Sequence, residues 1–276
     1  MTIFKAILLG IVQGLTEFLP VSSSGHLSVA QHLLNTPEDK ILFLTVMLHL
    51  GTLISVFFVY SSDIFLICKE FILMIFDVFK GKGFKINNDH RKLGILIIIA
   101  TIPTGLMGIF LKDIFEGFYR SQLIIGFSLI ITGTLLWTAE RVHSGKRNIK
   151  QMNWIDAVIV GLFQGFAITP GISRSGSTIV GSLFRGFNKE LATKFSFLIS
   201  IPSIGGAVLL EAKDAIAHGT GDMTFSILLA GIFASFIAGV LAIRTLINFI
   251  KKEKLYYFSY YTWTIGSAIV ILNLIR

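Results

Sequence analysis

The chain has 276 residues, 53% of them hydrophobic and only 14% charged, with a mean hydropathy of +0.77. That balance excludes a soluble domain and implies a polytopic helical membrane protein. The net charge of +8 does not point to nucleic acid, because the basic residues fall in short loops beside apolar spans, and the single cysteine, Cys68, excludes an intrachain disulfide.

Residues 1–18 predict a helix poorly suited to crossing a bilayer, since Gln13 and Glu17 share one face at i, i+4. Pro20 and the run Ser22, Ser23, Ser24, Gly25 break it, and a second short helix starts near His26 with serines available as N-caps. Half-helix, break and half-helix predict a re-entrant hairpin over 1–35. Such backbone survives at membrane depth only against protein or a wet cavity. Lys5, the apolar run and the small residues at 22–24 superficially resemble a cleavable signal. A weaker copy of the same stretch at 161–178 argues against that, because a signal has no reason to recur mid-chain.

A polar turn is expected at 35–40, a clean span at 41–60 and an interfacial amphipathic helix at 62–80, which carries Asp63, Lys69, Glu70 and Asp77. A basic loop follows at 81–92, then spans at 93–111 and 121–139 and a second basic loop at 140–152. Residues 153–186 predict the second broken hairpin, with Asp156 starting its helix and given no chemistry. The remaining spans are 190–210, 224–250 and 259–274, about six transmembrane helices in all.

The two broken hairpins are related. Gln13-Gly14 recurs as Gln164-Gly165 and Ser24-Gly25 as Ser175-Gly176, at a constant offset of 151 (164 − 13), while Pro20 and Pro170 differ by one less. The run at 43–51 also lies over 197–205. Two repeat halves are therefore expected, about 1–140 and 153–276, within one integral membrane domain over 1–276. Lys80, Lys82, Lys85, Arg91 and Lys92, the basic loop at 141–152 and the run at 251–254 should face the cytoplasm. Counting spans from there, the first hairpin enters from outside and the second from inside. That is an inverted repeat with its site near the midplane, the architecture also found in secondary transporters.

Glu17 is the first functional candidate, because a carboxylate in an apolar segment must be paired, bound to a metal or wet. Gln13, one turn earlier, can share a ligand or serve as a packing amide. Arg174 lies in a loop whose glycines and hydroxyls expose donors, a natural phosphate cradle, with Ser173, Ser175 and Thr178 as further donors or as helix caps. His26 suits a general acid or base, and one of Ser22, Ser23 or Ser24 suits a nucleophile. Spacing does not choose among the three serines. His49, mid-span, is assigned to helix packing. An anionic group bound and attacked inside a membrane fits an amphiphile with a phosphate headgroup.

The stretch 10–26, G-I-V-Q-G-L-T-E-F-L-P-V-S-S-S-G-H, resembles the (E/Q)xxxE-bearing first motif of the bacterial undecaprenyl-diphosphate phosphatases linked to bacitracin resistance. P-G-I-S-R-S-G-S-T at 170–178 resembles their second motif, and length, motif separation and hydropathy are similar over essentially the whole chain. The resemblance implies hydrolysis of undecaprenyl diphosphate to undecaprenyl phosphate and inorganic phosphate, which recycles the lipid carrier of wall polysaccharides and confers bacitracin resistance. It implies catalytic Glu17, Ser23, His26 and Arg174; by their own chemistry Ser22, Ser24, Ser173, Ser175, Thr178 and Gln13 are expected at the substrate. A divalent cation, Mg²⁺ or Ca²⁺, is implied on Glu17 with Gln13, although a glutamine in place of the first acid departs from a two-carboxylate site. The expected setting is the plasma membrane with the site facing outward. Expected partners are the polyprenyl diphosphate lipid and the bilayer, without nucleic acid, and a homodimer is admitted. The rival expectation is a lipid-phosphate flippase or secondary transporter, which needs no serine–histidine pair.

Overall fold

The computed structural model describes residues 1–34, 36, 38–141, 145–218, 224–252 and 254–275. Residues 35 and 37 of the expected polar turn, 142–144 of the second basic loop and Glu253 lie outside the described residues. Within them the chain is all-α. In chain order the helices are α1 (Ile3–Phe18), α2 (Ser23–Leu33), α3 (Glu38–Val59), α4 (Ser61–Phe79), α5 (Asp89–Phe110) and α6 (Lys112–Tyr119). They continue with α7 (Gln122–Arg141), α8 (Trp154–Phe166), α9 (Arg174–Phe184), α10 (Lys189–His218), α11 (Phe225–Lys251) and α12 (Tyr256–Ile275).

Helices α5, α7, α11, α12 and the Lys189–Leu210 part of α10 are long and apolar enough to cross a membrane. A sixth span follows if the bent pair α3 and α4 is counted as one, but the two meet at 84°. The polar residues Ser61, Ser62 and Asp63 sit at that corner, where Lys194 of α10 holds Asp63 at 2.5 Å. Only Met74 of α4 is buried, while Phe65, Phe76 and Phe79 are exposed. Helix α4, over the stretch read as an interfacial helix at 62–80, is thus turned out of the span axis with an apolar outer face. Arg91 of α5 fixes its far end through Glu70 at 3.3 Å and Asp77 at 3.1 Å. The short helix α6 was not anticipated by the sequence reading, which leaves 112–120 as a connection.

Both expected hairpins are present as α1–α2 and α8–α9, and their packing is reciprocal. Helix α1 lies on α11, and α8 lies on α5. Lipid supplies no hydrophobic drive between helices, so close contact between small residues has to hold such pairs. Gly10 and Gly14 fit against the backbone of Gly231 and Ser235, and Gly161 against Ala100. A Cβ on Gly14 would stand 2.5 Å from the Ser235 carbonyl oxygen, and one on Gly161 would stand 2.2 Å from that of Ala100. The repeat positions therefore carry the same packing task in each half.

Three apolar clusters complete the interior. Ala6, Leu9, Leu44 and Leu48 serve the first hairpin, and Ala100, Val160, Phe195 and Leu198 the second. Phe18, Val56, Leu136, Ile179, Phe197 and Leu246 lie in the cluster between them. The loop before α8 is clamped by charge. Arg147 binds Asp156 with its two terminal guanidinium nitrogens, at 3.1 and 2.6 Å, and Arg185 reaches the same carboxylate at 2.7 Å. Asp156 is fully buried. Burial raises its pKa, but hydrogen bonds from Arg147, the Asn153 backbone and Arg185 override that and hold it below the usual carboxylate value.

Candidate active site

Neither hairpin break is free of protein. In the second, Thr132 of α7 donates to the Gly171 carbonyl at 3.0 Å and accepts from the Ser173 amide at 3.1 Å. Gly171 adopts φ +90°, which a side chain would strain, and a Cβ there would meet the Ile125 carbonyl oxygen at 2.5 Å. The Gly171 amide donates to Ser24 Oγ at 3.3 Å, so the two breaks touch. In the first break Ser22 takes φ +71°, an uncommon conformation for a residue with a Cβ. The irregular backbone of both breaks is thus paired against protein, as burial away from water requires.

Glu17 is the centre of the site. It is 7% exposed, and both its oxygens are engaged. Oε1 accepts from Arg174 Nη2 at 2.8 Å, while Oε2 accepts from Ser23 Oγ at 2.8 Å and Gln13 Nε2 at 2.9 Å. His49 Nε2 stands 3.8 Å from Oε2. The structure therefore brings Gln13, Glu17, Ser23 and Arg174 together. It places His49 beside them, whereas the sequence reading assigned that residue to packing. No spacing rule pointed from α3 to Glu17; the signal was only a histidine in an apolar span.

Among the three serines the hydrogen bonds distinguish one. Ser23 alone donates to the carboxylate, while Ser22 and Ser24 pair their hydroxyls at 3.1 Å. Ser23 and His26, both expected to be catalytic, are not hydrogen-bonded to each other. His26 instead places Nδ1 2.8 Å from the Ser22 carbonyl oxygen and Nε2 2.8 Å from the Tyr261 hydroxyl. Tyr261, on α12, was missed by sequence reasoning. Ser173, Ser175 and Thr178 turn into the protein. Ser173 caps α9 through the Gly176 amide and meets Ser175 Oγ at 3.2 Å, and Thr178 meets Ser196 Oγ at 2.5 Å.

Two buried polar atoms here lack a hydrogen-bond partner, Arg174 Nη1 and Gln13 Oε1. The first is a cationic donor suited to an anion and the second an acceptor suited to a cation or a donor. Among the described residues no group of three or more His, Cys, Asp or Glu converges. The protein oxygens on hand are those of Glu17, Gln13 and Ser23. Those oxygens would suit a hard cation that takes most of its ligands from outside the protein.

The repeat builds one such site. The position in the second half that corresponds to Glu17 is Ile168, so the carboxylate exists only once. The second half keeps a buried amide instead, with Gln164 Nε2 donating to Thr104 at 3.1 Å and Ser203 at 2.7 Å.

A family described as bacitracin resistance protein BacA matches residues 6–268. The chain is 74% identical to an undecaprenyl-diphosphatase of Alkaliphilus metalliredigens (strain QYMF), with 100% of both chains covered. It is 45% identical to an undecaprenyl-diphosphatase of Halothermothrix orenii, covering 99% of this chain and 98% of that one. Another from Methanosphaera stadtmanae is 44% identical, with 99% of both covered.

Proposed function

The chain belongs to the bacitracin resistance protein BacA family, and from that premise we propose that it hydrolyses undecaprenyl diphosphate to undecaprenyl phosphate and inorganic phosphate. The observation that carries the reading is the buried Glu17, which gathers a hydroxyl from one hairpin and a guanidinium with a free N–H from the other. Helices α2 and α9 both begin at this carboxylate, and helix N-termini favour anionic groups. A flippase would need the cradle but no activated hydroxyl, and the relatives' name also favours hydrolysis over transport.

In this reading Arg174 Nη1 takes a phosphate oxygen and stabilises charge on the transferred phosphoryl group. Ser23 Oγ attacks the terminal phosphorus, its proton passes to Glu17 Oε2, and the anhydride P–O bond breaks to release undecaprenyl phosphate. Water then cleaves the phosphoserine, its proton going to His26, which gives it up to solvent as inorganic phosphate leaves, and Glu17 returns its proton to Ser23. Glu17 with Gln13 Oε1 would hold the divalent cation, which neutralises diphosphate charge when bound. The purified protein in detergent should release phosphate from undecaprenyl diphosphate. A well-folded preparation that releases none would overturn the assignment.

The wider setting belongs to the same reading. The two halves form an inverted repeat in the plasma membrane, with basic loops cytoplasmic and the site opening outward. It is supported by the asymmetry of loop charge and by the reciprocal packing of α1 on α11 and α8 on α5. Association into a homodimer is tested by the mass of the detergent-solubilised particle.

A further inference from the structure

His26 is held from both sides, and the two contacts together define which nitrogen carries its proton. A carbonyl oxygen can only accept, so the 2.8 Å contact to Ser22 O requires a proton on Nδ1. The uncommon φ of +71° at Ser22 belongs to the residue that presents this carbonyl. In the neutral ring Nε2 then carries the lone pair, and its partner at 2.8 Å is the Tyr261 hydroxyl, which must donate. The two rings also stack, with centroids 5.5 Å apart and an interplanar angle of 14°.

Tyr261 does not make this bond to escape burial. It is 44% exposed, while its neighbours Ser259, Thr262 and Gly266 are buried. Gly266 packs on Gly126 of α7. Helix α7 in turn anchors the second hairpin break through Thr132. The phenol is therefore presented from a fixed platform that also positions the loop carrying Arg174. A hydroxyl suits the task because it both donates and accepts. When Nε2 takes a proton, the phenol oxygen can accept from it, so the ring keeps one place in both charge states.

We propose that Tyr261 is a positioning residue of the hydrolysis: the Ser22 carbonyl sets the Nδ1–H tautomer of His26, and the Tyr261 hydroxyl keeps the ring in one place, so that proton exchange at Nε2 runs through the phenol. The inference rests on the hydrolase reading given above. Removing the hydroxyl while keeping the ring, in Tyr261→Phe, should lower kcat roughly 10-fold and leave KM within about twofold. Tyr261→Leu, which also loses the stacked ring, should fall further. The nitrogen shifts of ¹⁵N-histidine-labelled protein, with His26 assigned by comparison with His26→Gln, should show the Nδ1–H tautomer in both wild type and Tyr261→Phe, with the Nε2 resonance moved in the variant by loss of the phenol's hydrogen bond. An Nε2–H tautomer in wild type, or a Tyr261→Phe protein with unchanged kcat and unchanged His26 shifts, would overturn the proposal. The wild-type spectrum decides even where a variant fails to fold. Absence of phosphate release by the wild type would instead strike the hydrolase reading and leave the tautomer measurement to judge the contact.

Discussion

Ser23 and Arg174 hold equivalent places in the two hairpins and bind opposite oxygens of one carboxylate. Each is the first residue of an 11-residue half-helix, and each lies 2.8 Å from Glu17. The repeat offset that relates Gln13 to Gln164 relates these two as well. Equivalent positions of the two hairpins thus carry a hydroxyl in one and a guanidinium in the other, and both face a single acid that lies in the first.

That pairing predicts how the site responds to loss of one partner. Glu17→Gln strands Arg174 in a protein interior, which costs about 3–5 kcal/mol, whereas Glu17→Gln with Arg174→Gln should restore much of the stability. Thermal unfolding in detergent reads the difference, and a double variant no more stable than the single one contradicts it. Arg174→Lys keeps the charge but loses the fork that serves Glu17 and phosphate together, so turnover should fall by roughly 10²-fold with folding intact.

Ser23 is expected to behave unlike its neighbours. Ser23→Ala should abolish most phosphate release, while Ser22→Ala and Ser24→Ala retain more, because of the three serines Ser23 is the one that donates to Glu17. A phosphoserine should accumulate in His26→Ala, where water attack lacks its base. Near-normal turnover in Ser23→Ala, with nothing trapped by rapid quench, moves the attack to a bound water.

Helix contact depends on the absence of a side chain at Gly14. The Cβ introduced by Gly14→Ala would meet Ser235 O at 2.5 Å, Ala238 Cβ at 2.6 Å and Gly239 N at 2.8 Å. Two of those atoms are backbone and cannot swing away, so α1 must shift from α11 at a cost of roughly 1–3 kcal/mol. A lower melting temperature and reduced activity are expected together, because Glu17 rides on the same helix. An unchanged melting temperature would refute the close fit.

The Asp156 clamp gives a pH dependence of definite sign. Its folded pKa lies below the unfolded value, so its contribution is present above that value and is lost as pH falls through the folded pKa. The stability difference between wild type and Asp156→Asn should therefore hold at neutral pH and narrow below about pH 4. A gap that stays constant down to the acid limit would mean that the carboxylate charge does not hold the clamp.

Orientation is testable with single cysteines in a Cys68→Ser background, since Cys68 is the sole native cysteine and is exposed. Labels at Lys82, Lys146 and Lys252 should react only from the cytoplasmic side, and one at Glu116 only from outside. Labelling of Lys146 and Glu116 positions from the same face would remove the inverted arrangement.

The sequence by itself determined the membrane class, the two broken hairpins and four residues that meet: Gln13, Glu17, Ser23 and Arg174. These follow from local chemistry. Apolar length, helix-breaking proline and glycine, and an acid with nowhere to go in lipid are properties of short segments, and the repeat is visible by comparing the chain with itself. Only the tertiary structure decided the rest. Which of three serines reaches Glu17, that His49 of α3 lies beside it, and that His26 turns to Tyr261 all depend on how distant helices pack. The contact between His26 and Tyr261 joins residues 235 positions apart, and no local periodicity encodes it. It exists because small residues let α12 approach α7, and because the strained turn at Ser22 aims the imidazole toward it.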